Sequence, residues 1–235
     1  MSPQILHVNQ ALTVATASFV PTDIAGLVAW YDASDAGSIT ESSGAVSQWD
    51  DLSGNGYHLT QSTGSLQPTT GTRTQNGLNV LDFAGDILTV AVTETSPWTA
   101  FVVCYPDAVA NLKTVFAQNG GAWEVMFHNG QFGLSGASQM AWYGASPSSG
   151  PSYAATTPYV LEVVTNGASS AWTLNGATDT TTSFSGGLTT LGVGGYPASG
   201  DLFDGWIGEF ILYGSALTSD RATVRDYLNA KWSVY

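Results

Sequence analysis

The sequence predicts an all-β protein, a sandwich or jelly roll closed by a single C-terminal helix. Three observations lead there. Short apolar or alternating runs recur from residue 27 onward, punctuated by Gly, Asn, Pro and Ser. Asn-Gly pairs, the strongest short hairpin signal, separate several of them: Asn119-Gly120, Asn129-Gly130, Asn166-Gly167 and Asn175-Gly176. No internal repeat of roughly 20 to 50 residues is visible, which argues against a propeller or solenoid. A chain of 235 residues can bury a sizeable core, and an all-β sandwich of this length is ordinarily one domain.

Taken in order, the runs give strands at residues 28–32, 46–49, 57–61, 79–83 and 87–90. Further strands are expected at 98–105, 113–118, 122–128, 131–134 and 139–143, then at 159–165, 170–174, 189–193 and 204–213. Val46, Gln48 and Asp50 alternate with Ser47, Trp49 and Asp51, as on a half-buried strand. Ser53-Gly54-Asn55-Gly56 then supplies a tight reversal, and residues 145–152 read as a Pro/Ser/Gly-rich loop. From 217 to 232 the period changes to that of a helix. Val224, Tyr227, Leu228, Lys231 and Trp232 share one face, with the Lys231 stem lying along it. Thr218 or Ser219 can cap this helix, while Asp220 suits its positive end and Lys231 its negative end. The face is expected to pack on a sheet edge. Residues 1–22 stand apart, opened by Ser2-Pro3 and closed by Pro21-Thr22. They read either as an extra edge strand or loop, or as an arm that anchors the protein to another subunit by strand addition.

Composition narrows the function. Charged residues are only 10% of the chain, against roughly 25% in ordinary soluble domains, so hydroxyls and amides keep the surface wet. Five cations face 18 carboxylates, for a net charge of −13, and Arg221, Arg225 and Lys231 crowd into one stretch. Nucleic acid is excluded as a partner, because neutralising a phosphate backbone takes clustered Lys and Arg. The lone Cys104 rules out an internal disulfide and sits in a strand-like apolar run, as a core cysteine does. No Lys or Arg precedes the mild apolar run at 11–20, and no run is long enough to span a membrane. The expectation is synthesis in a cytoplasm without secretory export or membrane insertion.

The order of several motifs carries a resemblance. Leu27-Val28-Ala29-Trp30-Tyr31-Asp32-Ala33-Ser34-Asp35 is followed by Val46-Ser47-Gln48-Trp49-Asp50-Asp51-Leu52-Ser53-Gly54-Asn55-Gly56. Asn76-Gly77-Leu78, Leu81-Asp82-Phe83-Ala84-Gly85 and Gly205-Trp206-Ile207-Gly208-Glu209-Phe210-Ile211-Leu212-Tyr213 come later, before the closing helix. Over residues 23–235 this order resembles the laminin G-like, concanavalin A-like jelly-roll domains of bacteriophage virion proteins and some bacterial surface proteins. The resemblance implies two curved antiparallel sheets of the concanavalin A-like lectin/glucanase type, in a class that mostly binds glycans or assembles into surfaces. The favoured expectation is a non-enzymatic capsid decoration protein on the virion surface. Residues 1–22 would anchor it to the major capsid protein and to its own copies, as a trimer at a symmetry point. The alternative is a carbohydrate-binding adhesin on a tail tip or bacterial surface.

Chemistry at particular residues is sparse. Hydrolases of this fold cluster their catalytic carboxylates on one strand, whereas Glu41, Glu94, Glu124, Glu162 and Glu209 are all isolated. A polysaccharide hydrolase using Glu124 and Glu162 across a sheet is the weakest reading; outward polar positions on half-buried strands explain both. His7, His58 and His128 lack zinc spacing. Asp50, Asp51 and Asn55, with Ser53, offer oxygen ligands for calcium, or else Asp50 or Asp51 accepts turn N–H bonds. Trp142, Tyr143 and Tyr196, next to Gly- and Ser-rich segments, can present faces on which sugar C–H surfaces stack, or can fill the sandwich or a subunit contact.

Overall fold

The computed structural model describes residues 18–109, 112–118, 123–129, 138–144, 148–177, 180–184, 186–196 and 200–235. The strand expected at 131–134 and most of the 1–22 arm lie outside them. Two antiparallel sheets are stacked face to face. In the first, Leu27–Asp32, Asp204–Tyr213, Trp98–Pro106, Tyr159–Thr165, Gly167–Leu174 and Thr180–Phe184 lie side by side. Leu81–Ala84 pairs with the start of Asp204–Tyr213. The second and larger sheet runs Ser148–Ser152, Gln139–Gly144, Trp123–His128, Lys113–Gln118, Leu188–Val193 and Leu88–Glu94. It continues through Leu59–Thr60, Ala45–Trp49 and Ile39–Ser42, and the short pair Gly195–Tyr196 and Asp201–Leu202 joins it beside Lys113–Gln118, through a parallel bridge between Leu202 and Thr114.

Period-two alternation sorts the side chains. From Trp98–Pro106, Trp98, Ala100, Val102 and Cys104 enter the core between the sheets, while Phe101 and Val103 face the other way. Cys104 is fully buried, and burial pushes its thiol pKa up, so it is a core residue. The opposite sheet supplies Trp123, Val125 and Phe127 from one strand and Met140 and Trp142 from the next.

The helix, Arg221–Trp232, packs on the outer face of the first sheet, over Trp98–Pro106 and Tyr159–Thr165, rather than on a sheet edge. Val224, Leu228 and Trp232 are fully buried there, each contributing about 1.5–3 kcal/mol. Gly208 makes this close approach possible, since a Cβ at that position would stand 3.0 Å from the Trp232 ring. Asp220 is the N-cap residue and its side chain makes no capping bond; Ser219 Oγ lies 3.1 Å from that carboxylate instead. Polar groups fix the helix further. Fully buried Glu209 accepts from Trp30 Nε1 (2.8 Å), Tyr227 Oη (2.9 Å), Lys231 Nζ (2.7 Å) and Trp232 Nε1 (2.7 Å). Lys231 also pairs with Asp32, and Arg221 and Arg225 both hold buried Glu162. The described end of the arm packs on the same side: Phe19 stands edge-on to Tyr227 at 5.5 Å, and Tyr213 Oη donates to the Pro21 carbonyl (2.9 Å).

Two local expectations need correction. Ser148–Ser152 is a strand at the edge of the larger sheet, not a loop, and its Pro151 sits where a missing N–H is tolerated. Residues 50–58 are not a tight hairpin. Strand pairing resumes only at Leu59 opposite Trp49, and the intervening loop is organised around the Asp51 carboxylate.

Candidate functional site

The outer face of the larger sheet carries a group of buried polar side chains. On Trp123–His128, whose inward residues fill the core, Glu124, Met126 and His128 point outward and are nonetheless buried. Glu124 stands directly across from Tyr143 on one neighbouring strand and Ala117 on the other. Met126 is flanked by Ala141 and Thr114. Beyond Ala117 comes Gly192, where a Cβ would lie 3.0 Å from the Gly195 carbonyl oxygen. The sheet floor beside Glu124 is therefore small, and the segment after Gly194 folds close over it. That segment brings Tyr196, which is cross-strand from Asp201. Tyr143 and Tyr196 are half-buried.

Electrostatics single out Glu124. Burial disfavours its charged form, and the negative charge of Asp201 adds to the effect. A hydrogen bond from Thr114 Oγ1 (2.5 Å) opposes them, and the pKa is pushed up to about 7. Burial also pushes the His128 pKa down, favouring the neutral ring. At neutral pH the face thus holds a carboxyl poised between acceptor and donor forms, among hydroxyls and an uncharged imidazole.

The raised pKa has a stability consequence. Between the ordinary 4.5 and about 7, folded Glu124 keeps a proton that the unfolded chain has released. Its contribution to stability is therefore greatest at low pH and falls as pH rises through that window. Each pKa unit is worth about 1.4 kcal/mol, so Glu124→Gln should gain on the order of 2–3 kcal/mol relative to wild type between pH 5 and 8. Urea melts of both proteins across that range check it; a difference that does not vary with pH rules it out.

The other expected site residues fall elsewhere. Trp142 is 3% exposed and belongs to the inter-sheet core, stacked on Trp123 at 4.6 Å, so it is no platform for a sugar. Glu162 lies on the outer face of the first sheet, clamped by Arg221 and Arg225, whereas Glu124 is on the outer face of the second. The two cannot meet on one substrate, which removes the hydrolase reading built on that pair. Asp51 Oδ1 accepts the backbone N–H groups of Trp30 (3.0 Å) and Ser53 (2.9 Å). Its Oδ2 accepts Ser53 Oγ (2.8 Å) and the Tyr57 N–H (3.0 Å). Asp50 takes Gln48 Nε2 at 2.7 Å and lies 3.1 Å from His58 Nδ1, and Asn55 Nδ2 donates to the Leu27 and Val28 carbonyls. The donors around Asp51 make this loop a structural knot. Among the described residues no cluster of three or more His, Cys, Asp or Glu side chains is placed to hold a metal. Thr114 and Asp201 were not singled out from the sequence. Thr114 is a hydroxyl within an apolar run, a weak signal, and Asp201 gives none.

No protein-family model matches the sequence, and no curated protein does. Solved structures do match. Domain 4 of AbnA, a GH43 extracellular arabinanase from Geobacillus stearothermophilus, was solved in complex with arabinotriose. It superposes with a TM-score of 0.61 at 13% identity, over 85% of this chain and 97% of that one. The binding domain of Paraclostridial Mosquitocidal Protein 1 gives 0.59 at 11% identity, over 90% of this chain and 53% of that one. Trypanosoma rangeli sialidase gives 0.58 at 13% identity, over 88% of this chain and 33% of that one. The chain thus spans about half of the second and a third of the third. At these identities the likeness establishes the fold. It is a β-sandwich of the concanavalin/glucanase kind.

Proposed function

We propose that the protein is a carbohydrate-binding module whose ligand lies on the outer face of the larger sheet. The observation that carries this is the grouping of half-buried Tyr143 and Tyr196 around Glu124 and Thr114. Tyrosine rings offer flat apolar surface for sugar C–H groups and hydroxyls for directional bonds, beside buried Glu124 and Thr114, which are bonded to each other. That a domain of the same fold was solved with arabinotriose supports the reading. Binding without turnover is part of the proposal. Display on a virion, through residues 1–22 and contacts with capsid protein or further copies, is a separate proposal that rests on the sequence resemblance.

Calorimetric titration of the wild-type protein with neutral oligosaccharides, arabinotriose among them, tests the site. Tyr143→Ala and Tyr196→Ala are each expected to weaken binding about tenfold, the worth of one aromatic contact, with the melting midpoint nearly unchanged. Absence of binding to any sugar at millimolar concentration would overturn the proposal.

A further inference from the structure

We propose that this face selects uncharged glycans and rejects those bearing carboxylates; the inference rests on the carbohydrate-binding reading of the same site. The carboxylate of a sialic or uronic acid is received most favourably by a cation, because a buried or half-buried anion without partners is costly. The chain has five Lys and Arg residues, and four of them are committed elsewhere. Arg73 is held by Asp82 (3.0 Å) and Asp107 (2.7 Å). Arg221 and Arg225 are bound to Glu162, and Lys231 to Glu209 and Asp32, all beneath the helix on the far side of the sandwich.

Lys113 is the remaining cation and the one adjacent in sequence to Thr114. It lies 4.0 Å from the Asp204 carboxylate. The charged groups of the face itself are buried Glu124 and half-buried Asp201, close enough that the charge of one acts on the other. An acidic sugar placed between Tyr143 and Tyr196 would add a further negative charge to that pair. A neutral sugar meets no such penalty, since its hydroxyls can donate to an ionised carboxylate and accept from a protonated one. The overall charge of −13 adds a long-range field of the same sign, which salt screens.

The test uses the full wild-type chain and three matched pairs of probes. These are arabinotriose with its aldonic acid, lactose with 3′-sialyllactose, and galactotriose with trigalacturonate. The expected result is that, in a pair that binds, the neutral member binds at least tenfold more tightly at low salt. The ratio should narrow as salt is raised and also in Asp201→Asn. A ratio below tenfold, or a preference for the acidic member, overturns the inference while leaving the binding face in place. Failure of all six probes at 10 mM overturns both.

Discussion

Trp142→Ala is expected to cost about 3–5 kcal/mol of stability, the range for removing a large aromatic from a packed core. The ring is sandwiched against Trp123 (4.6 Å, 19° between planes) and tilted against Trp98 (6.3 Å), and Trp98 in turn stacks on Trp123 (5.2 Å). These three rings come from both sheets, so the cavity left by truncation would open between the layers and could not collapse without moving a strand. In urea the transition midpoint should fall with the slope unchanged, the sign of a stability change without altered compactness. Tyr143→Ala, one residue along and on the opposite face, should fall within about 1 kcal/mol of wild type. The pair of variants separates core from surface on a single strand. A Trp142→Ala protein within 1 kcal/mol of wild type would place the ring outside the core.

That contrast also shows how far the sequence could be read. The strands at 113–118, 159–165 and 204–213 coincide with the structure because their apolar runs are bounded by turn residues. The burial of Cys104 is legible from the apolar run around it, and that of Val224, Leu228 and Trp232 from helical period. Trp142 was ambiguous because its neighbourhood in sequence is Gly- and Ser-rich, although alternation with Met140 would have placed it inside. Glu124 and Glu162 looked alike as isolated glutamates on strands. Which sheet each strand joins is decided by pairings between residues far apart in the chain, such as Glu162 with Phe101 and Glu124 with Tyr143. Nothing local encodes them. The same holds for the meeting of Asp201 with Glu124, and for the helix lying over a sheet face where its apolar stripe allowed an edge equally well.

Lys231→Met should destabilise the protein about as much, and its effect should depend on pH. Lys231 joins Asp32 to Glu209, and its ammonium also lies over the Trp232 ring at 5.1 Å. Methionine keeps most of the apolar stem and removes the charge. Glu209 is then left fully buried with three neutral donors and Asp32 nearby as a second anion. Breaking one side of a buried ion pair typically costs about 3–5 kcal/mol, because the remaining charge is uncompensated. Burial already raises the Glu209 pKa and Asp32 raises it further, while Lys231 is the main influence holding it down. Without the lysine, the folded state binds a proton at Glu209 over a wider range above the ordinary carboxylate pKa than the unfolded chain does. Stability of the variant therefore declines as pH rises, and the loss relative to wild type should be larger at pH 8 than at pH 5. Adding Glu209→Gln removes the anion and should recover part of the loss at pH 8 while doing less at pH 5. Urea midpoints of the single and double variants at the two pH values measure both effects. A single-variant loss below 1 kcal/mol, or one larger at pH 5, would mean that Glu209 does not depend on Lys231 for its charge.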